Sequence, residues 1–170
     1  MAAGQVKVFN KFIENIGAGI HNFDDTFTNG IRMGIIDNGT YTTFASLLTL
    51  SDPVWGAGGT QNMKTEETPF VSGNYPVNGN NLTVTIADAD VWTITSFTVK
   101  LDLDDESILV HASNPTDAYW GIIYDDDATN KNCIAAVDLG NASAVDMTAG
   151  DFSITWNAGG LFTIAGSAPA

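Results

Sequence analysis

Cysteine is nearly missing from this chain: Cys133 is its one copy in 170 residues, so no intrachain disulfide can form. Basic residues are scarce too. The 6 lysines and arginines stand against 20 acidic side chains, for a formal net charge of -14, and that surplus disfavours binding to nucleic acid or to an anionic membrane. No apolar run is long enough to span a bilayer, and residues 1–19 lack a continuous apolar signal-peptide segment. The expectation is assembly in a reducing cytoplasm, or export without a Sec signal. Histidine is limited to His21 and His111, neither with histidine, cysteine or paired carboxylates at ligand spacing. No nucleophile has a base beside it, no phosphate loop is present, and no cofactor is implied.

What the chain does have is enough apolar content for one globular domain, 44% of its residues. A compact chain of this length buries roughly 70% of its unfolded surface. Cys133 sits in the apolar run Cys133-Ile-Ala-Ala-Val137 and reads as a buried, inert thiol. Three glycosylation sequons, at Asn38, Asn81 and Asn141, would matter only in a secretory pathway and read as chance.

Val6 to Ile16 is the clearest helical stretch, with Phe9, Phe12, Ile13 and Ile16 at helical spacing and Gly17 and Gly19 as stop signals. So short a helix is marginal alone and must dock on its own sheet or on a neighbour. Beyond Thr26 the pattern turns to strands: Ile31 to Ile36, Leu82 to Ile86, Val91 to Leu103, Ser107 to Ala112, Tyr119 to Tyr124 and Ile134 to Leu139. At the end, Phe152, Ile154 and Trp156 alternate on one strand and Phe162 and Ile164 on another, with Asn157-Ala-Gly-Gly160 between them predicting a closing hairpin. Thr40 to Leu50 is ambiguous between strand and helix.

About eight short strands rich in β-branched and aromatic residues, with no interleaved helices, predict an all-β fold. The expected form is an antiparallel β-sandwich of jelly-roll or immunoglobulin-like type with a short N-terminal helix. The expected division is an N-terminal arm over residues 1–25 and a sandwich over 26–170, interrupted by a Gly/Pro-rich insertion around 52–81. A loop of that length is functional or disordered as a rule.

Charge is distributed unevenly. Up to Ile13 the ionic side chains are Lys7 and Lys11, whereas Leu101 to Asp151 holds eleven acidic residues and one lysine, Lys131. Solvated acidic loops account for this, and a mildly basic inner arm under an acidic outer face is the sharper reading. Asp88 and Asp90 fall on one side of a strand and could serve acid/base work, though an acidic turn explains them without chemistry. Asp102, Asp104, Asp105 and Glu106, and the run Asp125 to Asp127, are oxygen-rich but lack calcium-loop spacing. Of the tryptophans, Trp92 and Trp156 read as core. Trp55, in the glycine loop Pro53-Val-Trp-Gly-Ala-Gly-Gly59, reads as an anchor for a protein partner or a ligand platform.

The opening Lys7-Val-Phe-Asn-Lys-Phe-Ile-Glu-Asn-Ile-Gly-Ala-Gly-Ile-His-Asn22 resembles the start of the capsid cement, or decoration, proteins of tailed bacteriophages. Matching stretches are Val71-Ser-Gly-Asn-Tyr-Pro-Val-Asn-Gly-Asn-Asn-Leu82, Asp88-Ala-Asp-Val-Trp92, Ala118-Tyr-Trp-Gly-Ile-Ile-Tyr-Asp125 and Asp138-Leu-Gly140. Gly150-Asp-Phe-Ser-Ile-Thr-Trp-Asn157 and Gly160-Leu-Phe-Thr-Ile164 complete the series; order and spacing carry the resemblance. Gly30 to Phe70 and Leu101 to Pro115 depart from the pattern. The resemblance implies a jelly-roll-like sandwich, no enzymatic activity, and a homotrimer on the outer surface of the head that bridges major capsid protein subunits. It also implies that the N-terminal arm touches the shell or a sister subunit. With the loop tryptophan, the expected contact residues are Lys7, Phe9, Lys11, Phe12 and Trp55. Two other readings are a tail or fibre module that binds a receptor and a sugar- or calcium-binding sandwich module.

Overall fold

The computed structural model describes residues 4–21, 30–56, 61–67, 82–84, 93–95, 98–101, 103, 105–141, 143–157 and 160–165, with backbone alone for 82–84, 93–95, 98–100 and 162–165. In chain order its elements begin with β1 (Val6–Val8), α1 (Asn10–Gly17), β2 (Ile31–Ile36), α2 (Phe44–Leu48), β3 (Pro53–Val54), β4 (Gln61–Asn62) and a 3-10 turn at Met63–Glu66. They continue with β5 (Leu82–Val84), β6 (Thr93–Thr95), β7 (Thr98–Leu101), β8 (Glu106–Ile108), β9 (Trp120–Asp125), β10 (Cys133–Asp138), β11 (Phe152–Ile154) and β12 (Phe162–Ala165). Strands dominate and helices are few.

The central sheet has five antiparallel strands in the order β1-β10-β9-β2-β5. Its middle is apolar because both faces are covered. All six residues of β9 and all six of β10 are buried, as a continuous apolar run requires when neither face meets water. One face is covered from the segment after β2. Phe44 of α2 lies 5.6 Å from the Trp120 ring, Trp120 Nε1 donates to the Tyr41 carbonyl at 2.9 Å, and Trp55 stacks on Tyr124 at 5.2 Å with the rings 7° from parallel. Gly34, opposite Ile122, leaves room for that indole: a Cβ there would overlap the Trp55 ring. On the other face Gly121 accommodates Met33, whose Sδ would lie 2.9 Å from a Cβ at that position. Leu101, Leu103, Ile108, Met147 and Leu161 belong to the same core as Ile35 and Val137.

Two expectations are corrected. The helix starts at Asn10, not Val6: Val6 to Val8 pair with Val137 to Ala135 as the edge strand β1. Alternating valines around Lys7 suit a pleated edge, and Phe9, extended at φ −68° and ψ 140°, turns the chain into α1. The N-terminal segment is thereby built into the sheet. Within α1, Phe12 is buried and Ile16 packs on the core, while Ile13 is 65% exposed. Adjacent helical positions lie ~100° apart, so Phe12 and Ile13 cannot both face inward on a single narrow stripe.

The terminal hairpin is the second correction. β11 pairs with β8 and β12 with β7, both antiparallel, so residues 152–165 run in one direction alongside 98–108. Phe152 faces Ile108 and Phe162 faces Leu101: ten residues on one strand span seven on the other. The excess is absorbed between Trp156 and Leu161, whose N–H groups donate to Asp105 Oδ1 at 2.9 Å and to the Leu101 carbonyl at 2.7 Å. The predicted hairpin pairing is therefore not formed, and Gly160, at φ +77°, donates its N–H to the Asn157 carbonyl at 2.8 Å. Pairing with a distant partner strand won over the local turn signal.

In the 52–81 insertion, the described residues are ordered by β2 and by one another. β3 and β4 pair in parallel, Met63 is buried, and Glu67 bridges to Ile36. Of the ambiguous Thr40 to Leu50 stretch, Phe44–Leu48 is helical. Thr43 caps it by accepting from Ser46 N–H at 3.2 Å.

Candidate functional site

The turn from β9 into β10 gathers most of the buried charge. Asp125 is 1% exposed; one carboxylate oxygen lies 2.9 Å from His21 Nδ1, and the other accepts from the N–H groups of Asp127 at 3.0 Å and Ala128 at 3.1 Å. Asp126 receives Arg32 Nε at 2.9 Å and Lys131 Nζ at 2.6 Å, and Asp127 accepts from Gly30 N–H at 3.2 Å. The turn closes through Lys131 at φ +50°, a left-handed conformation uncommon for lysine. These carboxylates tie three strands and the end of the α1 segment together. They are bound by the protein's own cations and amides, which accounts for the acidic run as scaffold.

His21 gives this cluster the look of a catalytic dyad, but its side chain has no exposed surface and its ring packs 4.9 Å from Phe12. A substrate does not reach it in this conformation. His111 is exposed and accepts from Ser113 N–H at 3.1 Å, a local turn contact. Cys133 is buried, and burial pushes its thiol well above the ordinary value, so the reactive thiolate is suppressed. Among the described residues no group of three or more histidine, cysteine or acidic side chains is placed to hold a metal ion. Asp88, Asp90, Asp102, Asp104 and Trp92 lie outside the described residues.

The expected contact residues separate into two sets. Phe9, Phe12 and Trp55 are 0%, 1% and 1% exposed, and their rings are taken up by the chain's own core. That corrects their placement on a docking surface: the core of so small a sheet needs these large side chains, and Trp55 fills the gap above Gly34. Lys7 and Lys11 remain nearer the surface. Lys7 is exposed on β1, and Lys11 pairs with Glu14 at 2.8 Å, a contact that raises the lysine pKa. The exposed apolar residues were missed from sequence: Ile13 in α1 and Ile20 after it are 65% and 42% exposed, and Leu109 and Val110 after β8 are 61% and 46% exposed. Helical phase could have marked Ile13; Leu109 and Val110 looked like strand interior.

A groove of about 790 Å³ lies where the end of the central sheet meets β11. Val6, Val137 and Leu139 line one side, Leu161 and Gly160 the floor of the loop, and six consecutive residues from Phe152 to Asn157 the other. Trp156, expected as core, is half-buried and lines this groove while also packing against the core.

No protein-family profile matches this chain, and neither a curated protein nor a solved structure matches it.

Proposed function

We propose that this protein is a non-enzymatic virion component: a capsid cement protein that sits as a trimer on the outside of a phage head and bridges major capsid subunits. The observation that carries this reading is the exposed apolar set beside the basic arm. Ile13 stands on α1 and Ile20 three residues past its end, close in sequence to Lys7 and Lys11, on a chain of net charge -14. Large aliphatic side chains held out at 42–65% exposure around one helix mark a surface that a protein partner covers. The buried state of His21 and Cys133 and the acidic turn bound by the chain's own groups support a role without chemistry.

On this reading the chain forms a two-layer jelly-roll-like sandwich, the central sheet facing the layer of β6, β7, β8, β11 and β12. A protein that binds only the assembled shell stabilises it by mass action, and no bond need be made or broken. The test is a particle assay. Shells lacking the protein assemble but rupture at lower temperature, and adding the purified chain restores resistance with many copies over the head. A few copies at the tail would instead assign it to a fibre. Release of a sugar or peptide product would end the structural reading.

A further inference from the structure

We infer that the groove between the central sheet and β11 is a strand-accepting site, which takes one extended segment of a different protein, apolar at alternate positions and flanked by basic residues. Geometry supplies the first ground. β11 pairs with β8 alone in a two-stranded ribbon, so its other edge has no strand partner among the described residues. The groove is lined by Phe152, Ser153, Ile154, Thr155, Trp156 and Asn157 without a break. Successive side chains of a strand point to opposite faces, and within β11 Phe152, Ser153 and Ile154 all line the groove, so the wall there is the strand's edge, where its backbone N–H and C=O groups emerge. A two-stranded ribbon with an open edge is marginal, and an added strand completes it.

The second ground is the set of backbone groups that β1 turns outward beside the groove. Phe152 to Ile154 of β11 stand on one wall of the groove. Across from it, Phe9 N–H donates to the Ile134 carbonyl and Asp138 N–H to the Gln5 carbonyl. With the register Lys7 to Ala136, those bonds turn the N–H and C=O of Val6 and Val8 away from β10 toward the open edge. Backbone groups turned outward on an edge strand are the ones that an added strand bonds.

Charge chooses the occupant. The lining holds Asp138 and no basic residue, and Asp105 and Asp151 flank β11, so the incoming segment carries positive charge. A second copy of this chain does not offer one. Its 6 lysines and arginines are single residues spread along the chain, with no basic pair to flank one apolar segment, and two copies each at -14 repel. The inference holds whether or not the partner is a shell protein.

The experiment uses the full chain, labelled for amide NMR, and a synthetic peptide of alternating valine and threonine with two lysines at each end. Expected are saturable shifts confined to Phe152–Asn157, Val6–Val8 and the Trp156 indole N–H, with slowed hydrogen exchange along β11. N-methylating alternate peptide amides in one register abolishes binding, and aspartate in place of the terminal lysines weakens it at least ten-fold. Equal binding by both N-methylated registers, equal binding by the aspartate peptide, or no shifts at millimolar peptide would overturn the inference. So would concentration-dependent dimerisation through β11 without peptide, which would give the edge to a second copy. Failure of the shell-rupture assay leaves all these readouts standing, so the two proposals fail separately.

Discussion

Gly34→Ala is expected to be among the most damaging single-methyl changes in this protein. Gly34 lies in β2 opposite Ile122, and the Trp55 ring rests where its Cβ would be. That indole is held from several sides: its backbone N–H donates to the Lys131 carbonyl at 2.9 Å, and its ring stacks on Tyr124 at 5.2 Å. An added methyl must either push the indole out of its stack or move β2 away from β9. Overpacking of a rigid core costs about 1–3 kcal/mol, and complete loss of a buried tryptophan about 3–5 kcal/mol, so the second figure bounds the first. The expected cost is therefore about 3 kcal/mol, or roughly 6–12 °C in melting temperature for a domain of this size. The decisive measurement is a double-mutant cycle by urea unfolding. In a Trp55→Ala background the methyl has space, and because glycine is a poor strand residue Gly34→Ala should then be neutral or mildly stabilising. The coupling between the two sites is then about 2–3 kcal/mol. A cost below about 0.5 kcal/mol in the wild type, or the same penalty in both backgrounds, would refute the packing account.

Phe12→Ala should cost about 3–5 kcal/mol by urea unfolding, whereas Ile13→Ser should change stability by about 0.5 kcal/mol or less and yet reduce occupancy on shells. Removing residues 1–16 takes away β1 and the rings of Phe9 and Phe12, so the truncated chain should fail to fold cooperatively by near-UV circular dichroism. Asp126→Asn leaves Arg32 and Lys131 facing a neutral amide and should cost on the order of 2–4 kcal/mol, read from urea midpoints. Cys133 should resist aromatic disulfide reagents until the protein unfolds. Since burial raises the thiol pKa in the folded state, its contribution to stability is complete below the unfolded value of about 8.5 and is lost as pH rises from there toward the folded value. Cys133→Ala should therefore flatten the alkaline limb of the stability profile, and an unchanged slope would contradict the burial argument.

Strands with a strong local signature were legible in the chain. Ile31 to Ile36 matches β2 at both ends, and the apolar runs around Tyr119–Tyr124 and Ile134–Leu139 match β9 and β10 within a residue at each end, because burial on both faces demands an unbroken apolar segment. The buried thiol followed from the same run. The acidic surplus was equally plain. The sequence could not disclose partners. The Asn157 to Gly160 turn has the residues of a hairpin, yet β11 and β12 pair with β8 and β7, since apolar partners some fifty residues upstream outcompete a local reversal.

Burial of the aromatic side chains was likewise decided in three dimensions. A glycine loop around Trp55 looks like a surface feature along the chain, but the space above Gly34 on a strand twenty residues earlier draws the indole into the core. The acidic run Asp125 to Asp127 looks like a solvated acidic loop until Gly30, Arg32, His21 and Lys131 converge on it. Period and composition fix which residues favour strands and which must leave water, since both act over a few neighbouring positions. Which strand meets which, and therefore which edge, charge or ring stays exposed, depends on contacts between distant segments, and only the folded chain brings these together.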